Sequence, residues 1–447
     1  IPGKLINNKF LNNQNDFVIS ILIGFSLFTL ISFFIYAINL KVSHAIIFYI
    51  IFYLIITSIF YSIFKQKLLI KNHHLNKNNL IYFFPIFFFL VLIFLIRPIY
   101  IQNDGSDMWY YLAIIRSFLD DGFFSNTSPW FNMRQSSYPS NSFFLLLTMI
   151  KYLLPNISLF DIFRISGVFL TTLSVFINIH VLNIFTKNIK HSFAIVLFIF
   201  VLSFVIRDNL VYYMSSLPYY PKIFSSIIFI PALIYIFFTR LYLRKFFPIF
   251  LIFIFITYLN QSSINIVISG ILIFAFLILE IKKNILIAKV INIFIPYVIV
   301  VLFGYFYLSG FYFEKSGVIS TFSNDLSINA SNEGPYFGHV TEIFRNLFIY
   351  DPVKYFSRLT YFYLLLLLLS VLCYKLIRVK EIFLYHYIIL IVSFLIVFNP
   401  VSIFILNKLL PIYFLVRINW ILVGYIFLGC LIYEIIDRSN LQKYIYK

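Results

Sequence analysis

The sequence predicts an all-α, multi-pass membrane protein: a bundle of about twelve transmembrane helices, with short interfacial helices carried in its outer loops. Two facts of composition and one pattern lead there. Apolar residues make up 62% of the 447 residues and charged residues 11%. A soluble domain has about 45–50% and about 25% respectively, so this chain has too little polar surface to cover a water-soluble fold. A cytosolic enzyme and a disordered scaffold are both excluded. The pattern is a recurrence of apolar runs near the ~20 residues that cross a bilayer, with Lys and Arg in short clusters between them. Clusters so placed read as topology signals rather than as a nucleic-acid groove, despite the net charge of +18, and no nucleic-acid partner is expected. Cys373 and Cys430 both sit in apolar runs and provide neither a disulfide framework nor a metal site.

In chain order, spans are expected at 17–40, 44–64, 80–100, 160–186, 192–206, 222–239, 246–260, 263–281, 286–308, 356–374, 382–398 and 418–436. The runs 192–206 and 382–398 are short for a crossing and read as half-helices or displaced spans. No small-residue cleavage site follows the first run, so it is read as a span and not a signal peptide. The chain begins Ile1-Pro2-Gly3, which leaves its natural start open. Phe143 to Leu154 is too short to cross and is interrupted by Lys151, so it is expected to lie on or dip into the membrane surface. Three sections result: 1–79, two N-terminal helices and a basic inner loop; 80–436, the core, with outer loops 101–142 and 309–355; and 437–447, an inner tail.

Sidedness follows from the basic clusters. With the N-terminus inside, the inner segments hold Lys65, Lys67, Lys71 and Lys77, then Arg240, Arg244 and Lys245, then Lys282 and Lys283, then Lys375, Arg378 and Lys380. Both termini are then cytoplasmic. Most carboxylates fall on the other side, concentrated in the two long outer loops. No internal repeat is evident, which disfavours transporters built from inverted halves.

The first outer loop opens Gln102-Asn103-Asp104-Gly105-Ser106-Asp107-Met108-Trp109-Tyr110-Tyr111. Leu112, Ile115 and Leu119 then recur at helical spacing, with Arg116 and Asp120 between them, which predicts an amphipathic helix with two acids at its N-terminal side. Such acids can cap the helix or face solvent. They can also take a proton from an acceptor hydroxyl or hold a divalent cation. Further candidates are Tyr138-Pro139 before the surface helix, Lys222 at a span entrance, Asn260 and Gln261 at a span end, and Arg417 at the mouth of the last span. Each has a structural alternative: Arg417 and Lys222 as snorkelling anchors, Asn260 and Gln261 as helix-end groups. His339 and Glu342 stand one helical turn apart, a spacing suited to a metal or to acid–base work. They have no third ligand, and a solvated loop is the simpler reading. His180 and His386, inside apolar runs, read as hydrogen-bonded structural groups.

Taken together, Asp107-Met108-Trp109-Tyr110-Tyr111 with Asp104, Tyr138-Pro139 before a surface helix, Lys222, and Arg417 with Trp420 resemble the motifs of the GT-C superfamily of integral-membrane glycosyltransferases, nearest to bacterial members of unknown function. The resemblance covers most of 80–436, and its motifs are short. It implies transfer of a sugar from a polyprenyl-phosphate donor to a glycan, lipid or protein acceptor at the outer face of a bacterial inner (plasma) membrane, among membrane lipids. Asp107 would be the general base with Asp104 assisting, and Arg417 and Lys222 would meet the donor phosphate. Tyr110, Tyr138, Asn260, Gln261, His339 and Glu342 would bind substrate. The chain departs from the family in placing two spans ahead of the one before the motif. It also spaces its acids, where many relatives have an adjacent pair. A divalent cation, Mg or Mn, held by Asp104 and Asp107 therefore stays an open requirement. Two other classes fit a many-spanned chain. A polysaccharide polymerase or ligase would rely on His339, Arg345 and Arg358. A lipid or solute transporter would place ionisable groups near the bilayer midplane, whereas here nearly all charges lie at span ends.

Overall fold

A computed structural model describes residues 17–38, 40–64, 105–122, 142–205, 225–243, 247–261, 264–281, 291–302, 340–344, 347–350, 368, 371–372, 380–407 and 424–438. Helices dominate it, and four stretches are long and apolar enough to cross a membrane: Val18–Tyr36, Val42–Ile59, Leu159–Thr186 and Lys380–Val397. Among the described residues the expected all-α content has one exception, an antiparallel hairpin of β1 (Val340–Phe344) and β2 (Leu347–Tyr350). Its residues are largely β-branched and aromatic, which suits a pleated strand better than a helix. The expected span 80–100 and most of 356–374 lie outside the described residues.

Contacts divide the chain into two compact units. The first holds α1 (Phe17–Ala37), α2 (Val42–Phe64), α3 (Gly105–Asp121), α4 (Ser142–Leu153), the start of α5 (Leu159–Thr186), and α8 (Phe247–Gln261). The second holds the end of α5, α6 (Ile189–Val205), α7 (Ile230–Phe238), α9 (Ile264–Ile281), α10 (Ile291–Leu302), the hairpin, α11 (Lys380–Val397), α12 (Pro400–Asn407) and α13 (Gly424–Arg438). The two N-terminal helices, set apart by the sequence reading, pack in the same unit as α3, α4 and α8.

In the first unit, α1 carries no charge over its whole length, and its small polar residues Ser26, Thr29 and Ser32 are buried on one face. Hydroxyls in apolar surroundings must be satisfied locally. Ser26 donates to the Leu22 carbonyl at 2.7 Å and Ser32 to that of Phe28 at 2.8 Å. Thr29 meets Ser142 of α4 at 3.4 Å. These short side chains let α1 approach both α4 and α8 closely. On α2, Tyr49 packs on Phe28 of α1 with ring centroids 4.9 Å apart. Ile47, Ile50, Ile51, Leu54, Ile55 and Ile59 are exposed along α2, the apolar surface a lipid-facing helix presents. Gly122 ends α3 at φ 70, the left-handed position that glycine accepts without a Cβ clash, and its carbonyl accepts from the Val42 N–H at 3.0 Å. The end of α3 is thereby tied to the start of α2.

Ser158 caps α5, its hydroxyl accepting from the Asp161 N–H at 3.0 Å. In the second unit, Asn188 caps α6 in the same way, its side-chain oxygen accepting from Lys190 and His191. A π-helical stretch, Ser225–Phe229, leads into α7, whose Pro231 lies in the first turn. Almost every side chain from Ile227 to Phe237 is buried, so α7 is an interior helix. His386 of α11 hydrogen-bonds through Nδ1 to the Ile382 carbonyl at 2.8 Å, the structural role expected of it.

Candidate functional site

The candidate base lies at the start of α3. Asp107 is the third residue of that helix, where the free N–H groups and the helix dipole favour a carboxylate. Tyr111, Leu112, Ile114, Ile115 and Phe118 are buried, whereas Arg116 and Asp120 are exposed and paired at 3.2 Å. Tyr111 packs at a tilt on Phe144 of α4 at 4.9 Å, and Phe118 meets Tyr36 of α1 at 6.1 Å. The amphipathic helix forms as expected, with its apolar stripe shifted one residue: Phe118, not Leu119, takes the buried position. At ~100° per residue, Asp107 falls about 40° from the centre of that buried stripe and roughly opposite Arg116. It therefore shares the face with Tyr111, Ile114 and Phe118, four, seven and eleven residues on.

Tyr110 is on the same helix, one turn after Asp107. Asn260 and Gln261 are the last two residues of α8, at the helix end where the sequence reading placed them. Glu342 lies on a strand. It sits on β1, paired with Phe348, in extended backbone where the sequence reading favoured a solvated loop. Asp104, Tyr138, Lys222, His339, Arg417 and the alternative pair Arg345 and Arg358 lie outside the described residues. Among the described residues, no three His, Cys, Asp or Glu side chains gather as metal ligands. Asp104 is not one of those residues, so the open question of a cation at Asp104 and Asp107 stands as the sequence left it.

A second charged cluster, which the sequence reading did not single out, lies in the second unit. After α7 the chain turns at Arg240, held at φ 56, into a short 3-10 turn, Leu241–Leu243. This brings the Tyr242 hydroxyl to Glu280 near the end of α9, donating at 2.8 Å. Both side chains are buried, at 2% and 3% exposure. Burial, with the hydrogen bond to the Glu280 carboxylate, raises the Tyr242 phenol well above its ordinary value, and Arg240 opposes the rise. Arg240, Glu280, Glu381, Phe237, Phe238, Phe276 and Leu279 line a cavity of about 20 Å³ there. Phe237 stacks on Phe276 at 4.7 Å, and Tyr242 meets the same ring edge-on at 5.4 Å. The one sequence signal was Glu280 itself, a carboxylate inside the apolar run 263–281, where an ionisable group marks a partner or a function.

The chain matches no family model, no curated protein and no solved structure.

Proposed function

We propose that this protein is a membrane glycosyltransferase of GT-C type, moving a sugar from a polyprenyl-phosphate donor to an acceptor at the outer membrane face. The observation that carries the reading is the position of Asp107. It stands in the first turn of a helix in the first long loop, and by ideal helical spacing its position falls on the side of Tyr111, Ile114 and Phe118 and away from Arg116. A carboxylate at such a position can take a proton from a hydroxyl acceptor at the membrane boundary.

In this proposal the twelve spans place both termini in the cytoplasm of a bacterium and the loops 101–142 and 309–355 outside. A polyprenyl tail dissolves in the bilayer, so its phosphate and sugar stand at the interface, beside the helix ends. Asp107 takes the proton from the acceptor hydroxyl, which then attacks the anomeric carbon as the bond to the phosphate breaks. Asp104 assists. Arg417 and Lys222 neutralise the departing phosphate, where a low dielectric makes charge stabilisation strong. Arginine suits that task because its planar fork holds two phosphate oxygens. Should the reaction take a divalent cation, Asp104 and Asp107 are the residues that would hold it. Tyr110, Asn260 and Gln261 contribute polar groups to sugar recognition.

The test is Asp107→Asn. The substitution keeps size and hydrogen bonding but removes the base, so transfer is expected to vanish while expression and membrane insertion stay at wild-type levels. Full transfer by the variant rules the assignment out.

A further inference from the structure

The hydroxyls of Thr29 on α1 and of Ser142, the first residue of α4, stand 3.4 Å apart, and both side chains are buried. That contact fixes a level along α1. Thr29 lies twelve residues from one end of α1 and eight from the other. At ~1.5 Å per residue it is about 3 Å from the middle of the helix. The far end of α4 is built differently. Tyr152, Leu153, Leu154 and Ile157 are exposed at the corner between α4 and α5. Backbone groups of this corner are paired from within. The Lys151 ammonium donates to the Pro155 and Ile157 carbonyls, both at 2.7 Å. The Leu154 N–H donates to the Ile150 carbonyl at 2.9 Å, and the Ile157 N–H to that of Leu154 at 3.2 Å. Contact with lipid requires such internal pairing. It also folds the Lys151 charge onto the backbone and leaves apolar side chains outward. Asp161 and Arg164 follow within two turns of α5, charges that belong at a membrane boundary rather than at mid-bilayer.

We propose that α4 is a half-helix set into the bilayer, its start near the midplane and its corner with α5 seated against phospholipid acyl chains at the membrane boundary. The lengths agree. Twelve residues of α4 make about 18 Å, close to the ~15 Å from midplane to boundary. The 28 residues of α5 make about 42 Å, more than the ~30 Å core, so α5 crosses it fully from the corner onward. Lys187 and Lys190 follow the far end of α5 as cytoplasmic charges do, which sets the corner at the outer face. Tyr152 stands there as an interfacial aromatic, and Leu153, Leu154 and Ile157 reach the acyl chains. The exposed apolar surface continues along α5 through Ile165 and Phe169, so the corner is the rim of a lipid-facing surface. This continuity selects lipid as the partner over a second copy of the chain. The proposal rests on α1 and α5 crossing the membrane and not on the transferase reading.

The test is the depth of single fluorescent labels in phosphatidylcholine nanodiscs, read by quenching with lipids that carry a nitroxide at the headgroup or along the acyl chain. The full-length chain with Cys373→Ala and Cys430→Ala receives Leu146→Cys, Leu154→Cys or Ile157→Cys. Leu54→Cys, exposed near the middle of α2, is the control for the membrane reading. Leu54 is expected within about 5 Å of the midplane, Leu146 at about 5–10 Å, and Leu154 and Ile157 at about 15–20 Å. Equal depths for Leu146 and Leu154 would mean a helix lying flat, and overturn the proposal. Leu154 and Ile157 labels that no lipid nitroxide quenches overturn it too, since water or a second copy then covers the corner. A Leu54 label away from the midplane removes the membrane reading and the proposal with it. A Thr29→Cys, Ser142→Cys pair checks the level of α4 without a probe in its packing. It is expected to close as a disulfide on mild oxidation, and failure to close overturns the half-helix.

Discussion

The side-chain amide of Asn178 donates to the carbonyl of Ile227 at 3.0 Å, across 49 residues of chain. That carbonyl lies four residues before Pro231, which has no N–H to give it, and it falls in the π-helical stretch that opens α7. A carbonyl stripped of its helical donor in an apolar interior costs free energy unless another donor reaches it. Asn178, itself buried on α5, supplies that donor.

The pairing has a direct test. Asn178→Leu is expected to lower stability by about 1–3 kcal/mol, since it leaves the Ile227 carbonyl unsatisfied. In a Pro231→Ala background the new backbone N–H can bond that carbonyl, so the same substitution should cost less, with a coupling of at least about 0.5 kcal/mol. Unfolding in detergent of the four proteins of this cycle measures it. Equal losses in both backgrounds would refute the pairing.

Close helix approach makes a second prediction. A Cβ built on Gly270 of α9 would lie 2.5 Å from the Tyr297 hydroxyl of α10, whereas one on Gly429 would meet the end of Leu182 at 3.2 Å. Gly270→Ala is therefore expected to destabilise by about 1–3 kcal/mol. Gly429→Ala should cost less, because the Leu182 side chain can yield. Adding Tyr297→Phe should recover part of the Gly270→Ala loss, which melting temperatures of the three variants will report.

Much of this architecture was legible in the sequence, and the reason is the bilayer. Spans must be long, apolar and free of charge, so the runs at 17–40, 44–64 and 160–186 announce α1, α2 and α5 with boundaries only a few residues off. The amphipathic helix α3 was legible from the spacing of Leu112 and Ile115. What could not be read were relations between distant segments. Nothing local says that Asn178 serves the carbonyl left by Pro231, or that Arg240, Glu280 and Glu381 share one cavity. The hairpin was missed for another reason: 340–350 was read as part of the outer loop 309–355, while the β-branched and aromatic content of the two strands carried the deciding preference. As for the candidate site, the sequence named Asp107, and the helix face it occupies came only with the fold.

The Tyr242–Glu280 contact predicts a dependence on alkaline pH. The phenol is raised in the folded state above its ordinary 10.0. Between that value and the folded one, the native protein holds a proton that the unfolded chain has lost. Stability from this group is thus complete below pH 10 and falls as pH rises beyond it. Tyr242→Phe removes the group, so its unfolding midpoint should fall less steeply than wild type between pH 9 and about 11. Parallel curves would contradict the contact.

Gly122 offers a smaller test of the tie between α3 and α2. At φ 70 an alanine is strained, so Gly122→Ala is expected to cost about 1 kcal/mol and to loosen the Val42 N–H, read as faster amide exchange at Val42.

The central claim, that a lipid-linked sugar is the donor, is tested most directly by turnover. The purified chain in nanodiscs is given a panel of synthetic polyprenyl-phosphate sugars with a hydroxyl acceptor, and free polyprenyl phosphate is measured. The account predicts release from at least one donor by wild type and none by Asp107→Asn. If no donor across the panel is consumed, while function of the chain in cells depends on His339, Arg345 and Arg358, the account is contradicted in favour of a polymerase or ligase.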